Sequence, residues 1–258
     1  MRDMRPPDPP VAPDAAIPDR RSRLRAWTLE QIKEAALRQI AEHGVEGLSL
    51  NAIAKELGMS GPALYRYVAS RDELIVLLVV DAWQELGDAL IKAAAEPTAD
   101  AADRVRNIGR AYRAWGLSQP DRYKLAVTTR LGSGQLGPEH VIPAATRAMN
   151  VALGAMAELP DTSLPPAAVS SSLIGDLESW RTERQGNLDI AASVLLRGVL
   201  VWSRLHGLLT LEIDGYLASM GIDPEPLYAS ELDAITSSVQ PRGRPTPAKR
   251  RRRSSKPS

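Results

Sequence analysis

The side chains best suited to chemistry in this sequence are arginines and lysines grouped near the two ends of the chain. Residues 240–258 carry eight basic residues and no acidic one, and a smaller basic group lies within residues 20–25. The net charge of +1 hides an acidic body, because residues 1–239 hold 24 basic and 31 acidic residues. This asymmetry indicates a polyanionic partner, although solvated ends that only aid solubility fit the same composition.

Residues of the kinds that catalyse reactions or bind metals form no recognisable group. The chain has no Cys and three scattered His, so it lacks thiolate ligands and metal-ligand spacing. G-x-S-x-G and H-E-x-x-H motifs are absent from it. Residues 132–137 match G-x-G-x-x-G, but no predicted sheet surrounds them, so we interpret them as a loop between helices. We therefore expect no metal, no cofactor and no catalytic site.

Residues 49–71 have the pattern of two short helices joined by a tight turn. An apolar face on the first helix is formed by Leu50, Ile53, Ala54 and Leu57. Gly58 ends this helix, because a tight exit requires a residue that tolerates positive φ. Ser60 is placed to cap the second helix, whose first turn holds Pro62. The pair is a helix-turn-helix, a motif whose second helix fits the DNA major groove.

The sequence predicts an all-α protein with two domains and two disordered ends. Six prolines between residues 6 and 18 indicate that residues 1–25 form a disordered arm. Capping-box spacing at Thr28 places the first helix start there. Residues 26–75 then form a three-helix unit that contains the DNA-binding helix-turn-helix, and residues 76–239 form a helical bundle. Residues 240–258 form a disordered basic tail.

The bundle is predicted from apolar stripes bounded by prolines, glycines and capping residues. The expected helices span about 71–94, 99–117, 121–131, 138–159, 166–185, 188–212 and 224–239. No apolar run approaches the roughly 20 residues of a membrane span, so we expect no membrane partner.

An aromatic and Met-rich set in the bundle is a candidate lining for a pocket between helices. Its members are Tyr112, Trp115, Tyr123, Met149, Met156, Trp180 and Trp202. Each of these residues is also a natural core residue, so the set allows either a pocket or plain packing. If the pocket exists, the few charges in the inner helices favour an apolar or amphipathic small molecule.

The basic tail contains Pro241-Arg242-Gly243-Arg244-Pro245, which resembles the core of an AT-hook. An extended Arg-Gly-Arg segment has the width and charge to lie in an A·T-rich minor groove. Non-specific phosphate attraction and the absence of any DNA role are the alternatives for Arg242 and Arg244.

The chain resembles the tetracycline-repressor (TetR) family of bacterial transcriptional regulators over about residues 26–75. The resemblance rests on Leu48-Ser49, Ile53-Ala54, Leu57-Gly58-Met59-Ser60, Ala63-Leu64-Tyr65-Arg66-Tyr67-Val68 and Ser70-Arg71-Asp72-Glu73-Leu74. It implies an all-α homodimer in which residues 26–75 are the DNA-binding domain, with one recognition helix per subunit in a major groove. It also implies that residues 76–239 are a ligand-binding and dimerisation domain, which binds a small molecule to release DNA.

The resemblance also implies DNA-contacting residues. Ser49 and Arg71 are expected to contact phosphates, and Tyr65 and Tyr67 to contact phosphate or base. Asn51 lies where some family members read a base. The other positions implied at the groove are Gly61, Pro62 and Ala63, whose apolar surface suits thymine methyl groups. Arg23 and Arg25 in the N-terminal arm add to this predicted surface.

The C-terminal part resembles the family's Trp-His-Gly domain type. The matching segments are Trp202-x3-His206-Gly207 with Leu211-Glu212, and Gln119-Pro120-x2-Tyr123. In such domains the last two helices form the dimer, which predicts an interface at Leu195, Gly198, Trp202, His206 and Gly207. A core histidine is the simpler interpretation of His206.

These observations predict a cytoplasmic, nucleoid-associated bacterial repressor that binds operator DNA as a homodimer and is released by a small ligand. The alternatives are an effector-independent or architectural DNA-binding protein, which needs no cavity, and a helical enzyme.

Overall fold

A computed structural model describes residues 19–128, 138–159, 170–184 and 190–237. The chain divides into two compact units, residues 1–78 and residues 79–258. The described residues contain helices and no strand, which confirms the predicted all-α class.

The first unit contains four helical segments and the start of a long helix. These are α1 (Arg20–His43), a 3₁₀ turn η1 (Val45–Gly47), α2 (Leu50–Glu56), α3 (Gly61–Leu64) and the beginning of α4 (Arg71–Ala95). Their core is fully apolar and includes Ile32, Ala36, Ile53, Leu64, Val68 and Leu74. Gly44 at φ 73° ends α1, and Gly58 at φ 62° allows the tight turn after α2.

The predicted start of the first helix is wrong by two turns. Helix α1 begins at Arg20, where the Asp19 carboxylate accepts the backbone N–H of Ser22 at 2.7 Å. Residues 20–25, expected in the disordered arm, are therefore helical. Thr28 lies inside the helix and its hydroxyl donates to the Leu24 carbonyl. Ser60 precedes α3 as expected, but its side chain makes no capping hydrogen bond.

The second unit is a helical bundle that begins with the rest of α4. Its further elements are α5 (Ala101–Ser118), α6 (Pro120–Thr128), a 3₁₀ turn η2 (Pro138–His140), α7 (Ile142–Ala157), α8 (Ser171–Arg184), α9 (Ala192–Ile213), α10 (Tyr216–Ser219) and α11 (Pro224–Thr236). The predicted helices agree with these to within a few residues. The short helix α10 was not predicted, because four residues leave no periodic pattern.

Helix α9 lies at the centre of the bundle, in contact with α5, α7, α8, α10 and α11. Contrary to the sequence-based expectation, α9 is long and apolar enough to cross a membrane by length and composition alone. Its packing gives the simpler explanation, because Leu195 and Leu209 are fully buried among the other helices. Burial accounts for only part of this composition, because Leu200, Trp202 and Leu211 on the same helix are exposed.

Candidate DNA-binding and ligand-binding sites

The residues that open α2 are positioned by hydrogen bonds to the backbone. Ser49 is the N-cap of α2, and its Oγ accepts the N–H of Ala52 at 3.3 Å. The N–H of Ser49 donates to Oε1 of Gln39 at 3.0 Å, which ties the start of α2 to α1. Asn51, in the first turn, is exposed and able to reach a ligand outside the unit.

Helix α3 presents a small, largely apolar surface followed by aromatic residues. Pro62 is exposed, and Gly61 and Ala63 are half-buried. Tyr65 is 50% exposed. Leu64 is 1% exposed and anchors the helix in the core. The predicted groove-facing residues thus lie together on one accessible element, while their contact with DNA stays a prediction.

Arg25 and Tyr67, two residues predicted separately, lie against each other. The Arg25 guanidinium stands 5.2 Å from the centre of the Tyr67 ring, a cation–π arrangement. Its Nη2 also donates to the Arg66 carbonyl at 3.0 Å. The first helix is thereby joined to the segment that follows α3. Arg23 is exposed, two residues away on α1.

The structure gives Arg71 a role within the unit, while its predicted phosphate contact stays a prediction. Its Nη2 donates to the Val45 carbonyl at 2.5 Å, and its Nε donates to the Leu48 carbonyl at 3.2 Å. The carboxylates of Glu46 and Asp72 lie 3.8 and 3.7 Å from its guanidinium. The side chain is therefore engaged in holding η1 to the start of α4. Sequence reasoning missed this role because η1 has no signal of its own.

The second unit contains an apolar cavity formed by α4, α5, α7 and α9. The cavity volume is about 70 Å³, and the free space around it, including the part open to solvent, amounts to about 670 Å³. Its walls are aliphatic and aromatic, and Tyr112 brings the one hydroxyl-bearing side chain among the described lining residues. Its contacting residues include Trp83, Leu86, Met149, Ala152, Met156 and Trp202. The cavity is narrow and suits a slim apolar molecule.

Four of the seven predicted pocket residues line this cavity: Tyr112, Met149, Met156 and Trp202. The other three do not. Trp115 lies beside an open groove between α4 and α5. Tyr123 is 1% exposed within the core. Trp180, on α8, packs against the core partly buried. The assignment of Trp115, Tyr123 and Trp180 to the pocket lining is therefore corrected for this cavity.

Behind the cavity, Tyr123 connects α6 to α9 through its hydroxyl group. The hydroxyl lies 2.7 Å from Nδ1 of His206 and 2.9 Å from Oγ1 of Thr210. The Tyr112 hydroxyl lies 3.5 Å from the same Nδ1. The indole of Trp202 stacks on the imidazole at 5.3 Å between ring centres. The two C-terminal sequence signatures therefore meet in space.

Burial sets the protonation of this cluster. Burial lowers the pKa of His206, because desolvation disfavours the imidazolium. Burial likewise raises the pKa of Tyr123. In the 2.7 Å contact between Nδ1 of His206 and the Tyr123 hydroxyl, the tautomer of the imidazole decides which group donates, and the hydroxyl also lies 3.2 Å from the His206 carbonyl oxygen.

An ion-pair group that sequence reasoning missed joins α5, α9 and α11. Arg113 donates from Nε and Nη2 to the two carboxylate oxygens of Glu212, both at 2.7 Å. It also pairs with Glu225 and lies 5.5 Å from the centre of the Tyr228 ring. Hydrogen bonding to Glu212 raises the pKa of Arg113 further above its ordinary value. The sequence contained one indication of this ion-pair group, because Glu212 belongs to the Trp-His-Gly signature.

The predicted dimer-interface residues divide into covered and accessible ones. Leu195 is 0% exposed. A Cβ on Gly198 would meet Leu153 of the same subunit at 2.4 Å. Both are covered by their own subunit, so their assignment to the interface is corrected. His206 is tied to Tyr123. Trp202 is 38% exposed, and a Cβ on Gly207 would meet nothing within 4 Å, so these two stay accessible.

Three predicted features lie outside the described residues. They are the Arg242 and Arg244 pair in the basic tail, the glycine-rich segment 132–137, and residues 1–18 of the N-terminal arm.

Comparison with known proteins assigns both units. Residues 32–78 match the family described as bacterial regulatory proteins, tetR family. Residues 105–235 match the tetracyclin repressor-like C-terminal domain.

Among individual proteins, the HTH-type transcriptional regulator Rv1816 of Mycobacterium tuberculosis is 34% identical over 212 residues, 80% of this chain and 90% of the relative. The regulatory protein SCO4313 has a crystal structure that superposes with a TM-score of 0.68 at 38% identity, over 83% of this chain and 97% of the other. FadR of Bacillus subtilis, solved with stearoyl-CoA, shares the fold at 14% identity with a TM-score of 0.51, over 82% of this chain and 99% of the other. The chain therefore belongs to the TetR family of bacterial helix-turn-helix transcriptional regulators.

Proposed function

We propose that this regulator is a repressor that binds a palindromic operator as a homodimer and leaves it when a slim apolar molecule occupies the cavity. The observation that carries the proposal is the path of helix α4. It begins at Arg71, directly after the helix-turn-helix, and supplies Trp83, Leu86 and Leu90 to the cavity wall. A ligand that changes the position of α4 acts on both units through one continuous helix.

The chemistry of the cavity supports an apolar effector. Its described lining contains no charged side chain, so an ionic group inside it would be buried without a partner. The space open to water-sized centres is narrow, so a ligand must be slim or must widen the cavity. It releases DNA only if it prefers the conformation that does not bind DNA.

The cavity also distinguishes the candidate functions. An effector-independent or architectural DNA-binding protein needs no such space, so the cavity favours the ligand-responsive regulator. The proposal includes no enzymatic activity, because the described residues at the cavity offer no acid, base and nucleophile set. Action on operator DNA places the protein in the cytoplasm, and we propose association with the nucleoid.

Footprinting on the DNA upstream of its own gene tests operator binding. Two protected half-sites should be separated by about one helical turn, roughly 34 Å, or a small multiple of it. Protection of one half-site by a monomer would contradict the dimeric repressor. A panel of straight-chain lipophilic compounds should then displace the protein, whereas matched charged analogues should not. If no compound binds the protein and none displaces it from DNA, the result would favour the effector-independent DNA-binding protein.

We further propose that the basic tail contacts DNA phosphates, which makes part of the DNA affinity depend on salt. Removing residues 240–258 should make the slope of log K against log salt shallower by about 0.9 for each phosphate the tail neutralises. Arg242 and Arg244 are proposed to contribute to it without changing the preferred operator sequence. Equal slopes for the full-length and truncated proteins would limit the tail to solubility.

A further inference from the structure

The first turns of α1 carry four arginines, and the helix distributes them to two different faces. They are Arg20, Arg21, Arg23 and Arg25, and all are exposed. No acidic residue occurs between residues 20 and 29 to neutralise them. Because the segment is helical and capped by Asp19, these charges have fixed relative directions. In a disordered arm these charges would have no fixed relative directions.

Arg25 identifies which face of α1 is directed toward the helix-turn-helix. Its guanidinium lies on the Tyr67 ring and on the Arg66 carbonyl. Arg25 also precedes fully buried Ile32 by seven residues, or two turns, so both lie on the same face. Arg21 lies four residues before Arg25, which places it on this face about one turn, or about 6 Å, nearer the start of the helix.

Arg23 lies on the opposite face. Residues two apart on a helix do not face the same side, so Arg23 points away from the face that holds Arg25. The exposure of Leu24 and Trp27, both 61%, shows that the far side of α1 is open within this unit. Arg21 and Arg23 therefore have the same charge and neighbouring positions, but different directions.

We propose that Arg21 contacts a DNA phosphate next to a phosphate bound by the segment after α3. In this arrangement Arg25 is a positioning residue, which holds Tyr67 in place for its contact with DNA. Among the described residues, the Arg21 side chain makes no hydrogen bond or ion pair, so its guanidinium is available. Arg25 is already engaged with Tyr67 and the backbone. This assignment replaces Arg23 with Arg21 on the DNA-facing surface. It rests on the proposed operator binding and specifies an element that binding would use.

The matched pair R21A and R23A tests the assignment in the full-length protein. Each removes one positive charge from the same helical turns, and Ala favours the helix. With the footprinted operator duplex, R21A should lower the magnitude of the slope of log K against log salt by about 0.9. Raising the salt from 50 to 200 mM weakens DNA binding by both proteins. The factor by which the affinity of R21A falls should be about three times smaller than the factor for the wild type. R23A should match the wild type, and R21K should retain the wild-type slope.

The remaining outcomes overturn the inference. Equal slopes for R21A and R23A would show a diffuse charge effect or no contact. A changed base preference in R21A would make Arg21 a reader of bases and would contradict a phosphate contact. Circular dichroism of both variants checks that α1 still forms. If the wild type protects no duplex, the proposed function fails as well, whereas binding by the wild type with identical variants removes only this inference.

Discussion

At the scale of single residues, the hydroxyl of Tyr123 is a test of how the core is held together. Y123F removes the group that contacts Nδ1 of His206 and Oγ1 of Thr210, and leaves both without that partner. We expect urea unfolding to show a loss of about 1–3 kcal/mol. Y112F is the matched control. The Tyr112 hydroxyl lies 3.5 Å from Nδ1 of His206, so its removal should reduce the free energy of unfolding by less. Equal losses would contradict the central role of Tyr123.

His206 predicts a pH dependence of stability. Burial lowers its pKa in the folded state, while the unfolded chain titrates near 6.5. As the pH falls below about 6.5, the unfolded state gains a proton before the folded state, so stability decreases until the folded pKa is passed. The H206Q variant should lose this component. Melting temperatures of both proteins at pH 7.5 and 5.5 measure it, and parallel shifts would contradict the prediction.

At the scale of elements, Arg71 joins η1 to the start of α4 with hydrogen bonds to two carbonyl groups. R71A should therefore destabilise the DNA-free protein by about 1.5–3 kcal/mol, as expected for charge-assisted hydrogen bonds. Denaturant unfolding without DNA measures this loss, and R66A on the exposed segment after α3 serves as the control. A variant with unchanged stability but weaker DNA binding would contradict this structural role and would favour the phosphate contact predicted from the sequence.

The accuracy of the sequence-based predictions depends on how local each signal is. Residues 49–71 were predicted well, because Gly58, Pro62 and the apolar spacing act over a few residues. The start of α1 was missed because residues 20–27 present no buried stripe, although Asp19 offered a cap. Tyr112 and Trp115 lie three residues apart on α5, yet only Tyr112 reaches the cavity. That difference depends on how several helices pack together, and the spacing of residues within one helix does not predict such packing.

At the scale of the whole molecule, Gly207 tests the homodimer. A Cβ at this position would meet nothing within 4 Å in its own subunit, so we expect the G207L subunit to fold as the wild type does. If the face is covered by a second copy, overpacking should weaken the dimer by about 1–3 kcal/mol. Analytical ultracentrifugation at nanomolar concentration measures this, with G154L, another open position, as the control. A G207L dimer as stable as the wild type would remove Gly207 from the interface.

Filling the cavity should separate DNA binding from its release. A152L adds apolar atoms to the cavity wall and should raise stability by about 0.5–2 kcal/mol. Operator affinity should stay unchanged, and lipophilic compounds should no longer displace the protein. A114L, at an exposed position of α5 outside the cavity, is the control. Displacement of A152L by the same compounds would place the effector elsewhere.

The alanines in the wall of so narrow a cavity have a genetic consequence. Ala148 and Ala152 both line it, and any alanine codon becomes a valine codon through one base change. Such changes keep the wall apolar and the helices intact while they reduce the space for an effector. Variants that repress permanently should therefore arise readily by point mutation. Selection against expression of the controlled genes should recover them at these codons, and such alleles should be dominant in cells that also carry the wild-type gene.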